Sequence, residues 1–221
     1  MKLMINAAVK LLFGALLIGM LLFLPAGTLL YFGAWLFLAV LFIPMTAVGI
    51  VLAVKAPALL SRRLDHREKE KTQRGVIGIA GLMFPVGFVV SALDFRFGWS
   101  ACPVWASIAG AALFLTGYAM YAEVLRENAY LSRTVRVEEG QTVVSTGLYG
   151  IVRHPMYLST LLMFLPIPLI LSSLWGLIPF ALYPVLIVVR IFDEEKVLSC
   201  ELAGYTEYKT CVKYRLIPFV W

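Results

Sequence analysis

Long apolar runs separated by short polar stretches make up the first half of the chain. A helix of about 20 apolar residues crosses a bilayer core that is about 30 Å thick. Four runs approach or reach that length, at residues 8–24, 29–54, 75–93 and 103–122, and the uncharged segment 25–28 joins the first two. This pattern predicts four membrane-spanning helices.

The second half of the chain follows a different pattern. Residues 123–157 are polar and rich in arginine, whereas residues 156–189 are apolar but contain Pro166, Pro168, Pro179 and Pro184, with Ser172 and Ser173 near the middle. Each half of this apolar segment has about 16 residues, or about 24 Å of helix, which is short for a simple span. We therefore predict two bent, closely packed helices that turn at the serines. The exiting helix should continue past the membrane and end near Gly204.

These elements predict an all-α fold, a polytopic membrane bundle of about five to six membrane helices. The last two form the proline-broken hairpin, and a short cytoplasmic helical segment follows them. We expect one integrated domain with two parts. Residues 1–122 supply about four spans and the basic loop 55–74, and residues 123–221 supply the hairpin 156–189, the C-terminal tail and the chemistry.

Composition supports a membrane protein. The chain of 221 residues is 61% hydrophobic and only 14% charged, with a mean hydropathy of +0.88, whereas soluble domains carry about 25% charged residues. The net charge is +6, but seven of the 19 basic residues lie between Lys55 and Arg74, flanked by apolar runs. That clustering indicates a cytoplasmic loop, and it argues against nucleic-acid binding.

The same charge pattern predicts the orientation. The loops at 55–74 and 123–157 and the C-terminal tail are rich in Lys and Arg, whereas the loops near 25–28 and 171–174 contain none. Both termini and both ends of the hairpin should then face the cytoplasm.

Small residues and cysteines carry less information. The glycines at 78, 81 and 87 have a spacing that permits close helix packing. The cysteines at 102, 200 and 211 have no metal-ligand spacing, so we expect free thiols and no metal site.

Two polar clusters stand at the ends of the hairpin. The first is Gly147-Leu148-Tyr149-Gly150-Ile151-Val152-Arg153-His154-Pro155-Met156-Tyr157, and the second is Arg190-Ile191-Phe192-Asp193-Glu194-Glu195. A hairpin brings its two ends within about 8–10 Å, so the clusters should meet at one membrane face. Pro155 should occupy the first turn of a helix whose free N–H groups, with Arg153, form an anion site. The alternative is an Arg-His pair that simply extends towards water.

The second cluster contributes carboxylates. Arg190 and Glu194 are four residues apart and can pair on one helix face. Glu195 points about 100° away, so we predict that it is the carboxylate free to meet a ligand; a solvated helix end is the alternative. Donors on one side and carboxylates on the other suit a zwitterionic ligand with a carboxylate and an amine or ribose hydroxyls.

The same residues resemble a known family. The stretch from Gly147 to Tyr157 resembles the signature of the isoprenylcysteine carboxyl methyltransferase family, whose relatives include the phospholipid N-methyltransferases. The resemblance continues through Arg190-Ile191-x-x-Glu194-Glu195-x-x-Leu198, Gly204-Tyr205-x-x-Tyr208 and Tyr214-Arg215-Leu216-Ile217-Pro218, and it covers about the last 80 residues. The first 120 residues match only as a set of spans. Many relatives have a Pro-Arg pair where this chain has Val212-Lys213-Tyr214-Arg215.

The resemblance implies a cytoplasmic pocket for S-adenosylmethionine made by the last helices and the C-terminal segment. It implies that the cofactor-binding residues are Tyr149, Arg153, His154, Pro155, Tyr157, Glu194, Leu198 and Tyr208. It also implies that Glu195, Arg190 and Arg215 are the catalytic residues, which bind or orient the polar groups of cofactor and acceptor.

The implied reaction is methyl transfer to a lipophilic acceptor, either the carboxyl group of an isoprenylcysteine-like substrate or a lipid head group. A carboxylate acceptor is ionised at pH 7 and needs no base, whereas an amine must lose a proton that a glutamate can accept. The expected partners are a lipid, a prenylated substrate or another lipophilic small molecule, together with the membrane lipids. The sequence gives no oligomeric state.

Two other functions compete with methyl transfer. Membrane sterol and isoprenoid reductases that use NADPH share a similar C-terminal architecture, but they generally have more spans. A non-catalytic scaffold or transport subunit would leave the paired clusters without a role. The sequence contains no HExxH, GxSxG or P-loop pattern, which argues against a protease, an esterase or a nucleotidase.

Overall fold

The computed structural model describes residues 2–64, 71–128, 130–131, 137 and 140–221. Residues 65–70 of the predicted basic loop lie outside the described residues. Every regular element in the described part is helical, which confirms the predicted fold class. The elements are α1 (Lys2–Ala26), α2 (Phe32–Lys55), α3 (Pro57–Leu64), α4 (Lys71–Phe97), α5 (Val104–Glu127), the 3₁₀ turn η1 (Gly147–Gly150), α6 (Pro155–Phe164), α7 (Ile167–Ile170), α8 (Leu177–Phe180), α9 (Leu182–Glu201) and α10 (Tyr205–Cys211).

Within the described part of the chain, four helices are long and apolar enough to cross a membrane. They cover Met4–Ala26, Phe32–Lys55, Gly75–Phe97 and Val104–Glu127, and each overlaps one predicted run. The run predicted to end at residue 122 continues as helix to Glu127, which brings the end of α5 up to the polar segment that follows.

The predicted hairpin is present. Helices α6 and α7 lead into a turn, and α8 and α9 lead back, with the turn at the predicted serines, where Ser172 has a φ of 54°. The hairpin packs against α4 and α5 and against the start of α2. We refer to the end of the bundle that contains this turn as the turn face. The opposite end, where α6 begins and α9 leaves the hairpin, is the cleft face.

Glycines allow the hairpin to approach its neighbours closely. A Cβ atom at Gly33 would lie 2.6 Å from the Ile170 carbonyl oxygen, and one at Gly117 would lie 2.8 Å from the Ser159 carbonyl oxygen. A Cβ at Gly87, one of the three glycines singled out from the sequence, would overlap the Phe180 ring. The other two, at positions 78 and 81, have no described atom within 4 Å of that position. Only Gly87 of that set therefore packs closely within this bundle.

Asp94 fastens the turn of the hairpin to α4. Its side chain is fully buried and accepts hydrogen bonds from the backbone N–H and hydroxyl of Ser100, at 2.7 and 2.6 Å. It also accepts one from the Ser173 hydroxyl at 2.5 Å and one from the Trp175 N–H at 3.4 Å. Tyr31 makes a further hydrogen bond to the hairpin, since its hydroxyl donates to the Leu171 carbonyl at 2.6 Å. These bonds fix how deeply the hairpin sits in the bundle.

Candidate active site

The arginine–histidine segment enters the hairpin as predicted. His154 lies immediately before α6, and Pro155 is in the first turn of that helix. The preceding backbone pairs with the C-terminal tail: the Arg153 N–H donates to the Tyr214 carbonyl and the His154 N–H donates to the Arg215 carbonyl, both at 2.9 Å. Two segments that are far apart in the sequence therefore form one wall of the site.

Glu195 is the centre of a buried ionic cluster. Its Oε1 lies 3.0 Å from Arg153 Nε and 3.3 Å from His154 Nε2, and its Oε2 accepts a hydrogen bond from Arg215 Nε at 3.0 Å. Burial by itself would raise the pKa of Glu195. The hydrogen bonds with His154 and Arg215 and the charges of His154 and Arg153 more than offset that effect and lower the pKa of Glu195 to about 2. Glu195 is therefore ionised and held by the protein itself.

Arg215 is fixed on a second side as well. Its guanidinium lies 5.2 Å from the centroid of the Phe192 ring and 5.4 Å from that of the Trp221 ring. Cation–π contacts of this kind hold a planar cation without competing for its hydrogen bonds. The C-terminal tail thus supplies both Arg215 and, through Trp221, one of the two rings that hold it.

Glu194 belongs to a different group of side chains. Arg190 Nε donates to the Tyr157 hydroxyl at 2.8 Å, and that hydroxyl donates to Glu194 in a short hydrogen bond. Arg190 and Glu194 share a helix face, as predicted, and they are linked through Tyr157. The two adjacent glutamates therefore have separate partners.

A cleft of about 820 Å³, counting the part that opens to solvent, lies at the cleft face. Eight of the predicted site residues line it: Tyr149, Arg153, His154, Tyr157, Arg190, Glu194, Leu198 and Tyr208. The other three, Pro155, Glu195 and Arg215, are not among the lining residues. Glu195 and Arg215 lie behind Arg153 and His154, which they hold in place.

The cleft has further lining residues that were not among the predicted site residues. They are Asn128, Tyr130, Leu131, Gln141, Thr142, Val143, Val144, Met156, Leu202 and Tyr205. Asn128 follows α5 directly, and its Nδ2 donates to the Tyr149 hydroxyl at 3.0 Å. Met156 falls within the stretch from Gly147 to Tyr157, and Tyr205 falls within the Gly204-Tyr205-x-x-Tyr208 match, so these two motifs were the signals that could have identified them.

Two buried donors in the cleft wall have no hydrogen-bond partner among the described residues, Arg153 Nε and the Tyr205 hydroxyl. Arg153 Nε is near enough to Glu195 for an ion pair, yet its N–H is not aligned with that oxygen. By contrast, the Tyr208 hydroxyl donates to the Tyr149 carbonyl at 2.7 Å. Buried polar groups nearly always have a partner, so these two donors are suited to a bound polar ligand.

A second, apolar cavity lies beside the cleft. It has a volume of about 1680 Å³, including open space, and is formed by α2, α3 and α5. Its lining is largely aliphatic, and the charged side chains in it are Lys55 and Arg126. Tyr130 lines both this groove and the cleft. We call this cavity the apolar groove.

The region of the chain that matches a known family contains most of this site, although Leu202, Tyr205, Tyr208 and Arg215 lie beyond it. Residues 105–201 match the family model described as phospholipid methyltransferase, and no curated protein matches the chain significantly. The match begins in α5 and ends with α9, so it includes the hairpin and both polar clusters. Residues 105–201 are therefore similar to the phospholipid methyltransferase family, within the group of membrane methyltransferases that includes the isoprenylcysteine carboxyl methyltransferases.

Proposed function

We propose that the protein transfers a methyl group from S-adenosylmethionine to a lipophilic acceptor at the cleft face, and that this face is cytoplasmic. The observation that carries the proposal is the cleft itself: it gathers polar groups from both ends of the hairpin, within the matched region, and two of its buried donors lack a partner.

The residues present fit this cofactor. Arg153 and Tyr205 offer donors, Glu194 offers an acceptor, and Leu198 and Val143 offer apolar surface in the same cleft. S-adenosylmethionine, when bound, supplies a methyl group that is already activated by a positively charged sulfur. The protein is then left with the tasks of alignment and exclusion of water. The cluster around Glu195 serves the first task, because it holds Arg153 and His154 in one position.

Glu194 is the carboxylate that is better placed to accept a proton from the methyl acceptor. It lines the cleft, and its described hydrogen bond comes from Tyr157, whereas Glu195 is enclosed by cations. An amine acceptor would have to lose a proton, and Glu194 is placed to receive it. A carboxylate acceptor would need no base, and Glu194 would then only orient the ligand.

The apolar groove fits the lipophilic part of the acceptor. It opens between helices that are long and apolar enough to span a membrane, and it shares Tyr130 with the cleft. A hydrocarbon chain in the groove would leave its polar end beside the cleft. The match to the phospholipid methyltransferase family favours a lipid head group as acceptor, and an isoprenylcysteine-like carboxylate is the second candidate.

Calorimetric binding to the detergent-purified protein tests the proposal. We expect micromolar affinity for S-adenosylmethionine and S-adenosylhomocysteine and no binding of NADPH. Methyl transfer to phospholipids with amine head groups, compared with transfer to farnesylcysteine, then identifies the acceptor. Binding of NADPH alone would replace the methyltransferase proposal with a reductase.

A further inference from the structure

The apolar groove and the cleft are neighbours that share a side chain. Among the residues that the structure describes, Tyr130 is the one that lines both cavities. One buried hydrophobic cluster contributes to both walls, since Leu59 and Leu125 line the groove whereas Leu131 and Tyr149 line the cleft. A ligand that reaches from the groove into the cleft therefore passes beside Tyr130.

Tyr130 is held at its backbone and at the tip of its side chain. Its backbone N–H donates to Asn128 Oδ1 at 3.0 Å, and its hydroxyl donates to the Gly140 carbonyl at 3.1 Å. Gly140 has a φ of 71°, a conformation that favours glycine, and it leads directly into residues 141–144, which line the cleft. The ring of Tyr130 is thus a fixed boundary between the two cavities.

Asn128 connects this boundary to the wall of the cleft. Its Oδ1 accepts the hydrogen bond from Tyr130, and its Nδ2 donates to the Tyr149 hydroxyl at 3.0 Å. Tyr149 is fixed in turn, because its backbone carbonyl accepts a hydrogen bond from the Tyr208 hydroxyl at 2.7 Å. A single side-chain amide therefore sets where the ring of Tyr130 lies relative to the cleft.

The two sides of the boundary suit different parts of one molecule. The groove offers aliphatic surface such as Leu52 and Leu125, whereas the cleft offers the charged groups Arg190 and Glu194. A tyrosine suits the junction, since it combines an apolar ring with a polar hydroxyl. Methyl transfer requires close alignment of the reacting atoms, so the stretch of the acceptor that passes Tyr130 has to have a defined length.

We propose that Tyr130 determines the specificity for the acceptor by fixing the length of the linker between its hydrocarbon chain and the group that receives the methyl. The chain lies in the groove, the receiving group lies in the cleft, and the linker passes the ring. Asn128 is the positioning residue for Tyr130. This inference rests on the proposed function and extends it from the class of acceptor to the part of the acceptor that is selected.

Two series of acceptors test the proposal on the full-length protein in nanodiscs at saturating S-adenosylmethionine. The first contains phospholipids that share their acyl chains and differ by single methylenes between phosphate and amine. The second contains farnesyl thioethers that differ by single methylenes between sulfur and carboxylate. In the series that the wild type methylates, one member should be preferred, and a change of one methylene should lower kcat/KM about tenfold.

Tyr130→Ala should reduce that preference to about threefold or less, because the linker is no longer confined. The Kd for S-adenosylmethionine should stay at the wild-type value. The preference is a ratio measured within one preparation, so a lower folded fraction of the variant does not change it. Gln141→Ala is the matched control, since Gln141 lines the cleft but not the groove. It should keep the wild-type preference, whatever its effect on the overall rate.

A pair of substitutions tests the role of Asn128. Asn128→Asp keeps the oxygen that accepts the hydrogen bond from the Tyr130 N–H, so this variant should retain the wild-type preference. Asn128→Leu removes that oxygen and should lose the preference as Tyr130→Ala does. An Asn128→Leu variant with the wild-type preference would overturn the positioning role.

The remaining outcomes are separable. A wild-type protein that methylates every member of its series equally well would overturn the proposal, and so would a Tyr130→Ala variant with the wild-type preference. An equal loss of preference in Gln141→Ala would also overturn it, since the cleft as a whole would then select the linker. Failure of the wild type to bind S-adenosylmethionine, or to methylate either series, would instead contradict the proposed function.

Discussion

Glu194 and Glu195 are adjacent in the chain, yet they have no partner in common among the contacts described above. Glu194 accepts a hydrogen bond from Tyr157 and lines the cleft, whereas Glu195 is buried against Arg153 and Arg215. Successive residues of a helix point about 100° apart, so one carboxylate lines the cleft while its neighbour in the sequence is enclosed by cations.

Substitution of the two glutamates by glutamine should therefore have different effects. Glu195→Gln leaves the buried Arg153 and the partly exposed Arg215 without their counter-charge and should lower the free energy of unfolding by about 2–3 kcal/mol. It should also weaken S-adenosylmethionine binding, because Arg153 and His154 lose their support. Glu194→Gln should leave the melting temperature near that of the wild type and lower kcat for an amine acceptor. Equal destabilisation by both variants, measured by thermal melting in detergent, would contradict this division of roles.

The pH dependence of stability follows from the pKa of Glu195. The folded state lowers this pKa from its ordinary value of 4.5 to about 2. A depressed carboxylate pKa stabilises the fold above the unfolded value, and that contribution is lost as the pH falls from there through the folded value. The difference in melting temperature between wild type and Glu195→Gln should be constant from pH 7 to about pH 5. It should then shrink progressively below about pH 4.5, and a difference that grows on acidification would contradict the assignment.

Filling the apolar groove should impair use of the acceptor and spare the cofactor. Ala122 lines the groove on α5, so Ala122→Phe should raise the KM of a lipid acceptor severalfold while the Kd for S-adenosylmethionine stays unchanged. Ala112 lies on the same helix, is exposed and does not line the groove. Ala112→Phe is therefore the matched control and should change neither value. An unchanged KM in Ala122→Phe would exclude the groove as the acceptor's binding site.

Because the hairpin packs closely at some glycines and not at others, alanine substitutions at different glycines should change the free energy of unfolding differently. Gly33→Ala and Gly117→Ala place a methyl group against the backbone of the hairpin and should each cost about 1–3 kcal/mol. Gly78→Ala meets open space in this bundle and should be neutral or slightly stabilising, since alanine is the better helix former. Reversible unfolding in mixed micelles measures both effects. A large loss in Gly78→Ala would indicate a packing partner at that position.

Asp94 offers a test of long-range positioning. Asp94→Ala leaves the donors of Ser100, Ser173 and Trp175 without their common acceptor and should lower the free energy of unfolding by about 2–4 kcal/mol. The affinity for S-adenosylmethionine, measured on the folded fraction, should fall much less than in Glu195→Gln. A loss of affinity without a loss of stability would show that Asp94 acts on the site directly.

The hairpin and the meeting of its two polar clusters were predictable from the sequence. Prolines, a serine pair and flanking charges are local signals, and a hairpin necessarily brings its ends together. The roles of the two glutamates were not predictable in the same way. Glu195 was expected to be free for a ligand, but its environment depends on Arg215, which reaches it only because the tail pairs with residues 153 and 154.

The glycines at close packing contacts were also not predictable from the sequence of a single helix. The spacing in α4 singled out three positions, and only Gly87 makes a close approach. Gly33 and Gly117 pack most directly against the hairpin backbone, and neither has a spacing that marks it. A close approach is a property of two elements together, and the sequence of one helix does not contain the position of the other.

The pairing of residues 153 and 154 with residues 214 and 215 also sets an order of events during biosynthesis. The arginine–histidine segment leaves the ribosome well before the tail does, and the hairpin is made in between. The wall of the cleft can therefore form only after the hairpin has inserted and the tail has returned to the same side of the bilayer. A chain that inserts the hairpin incorrectly never brings Arg215 to Glu195. Only molecules in which the hairpin and the tail have both reached their final positions can therefore bind a ligand in the cleft.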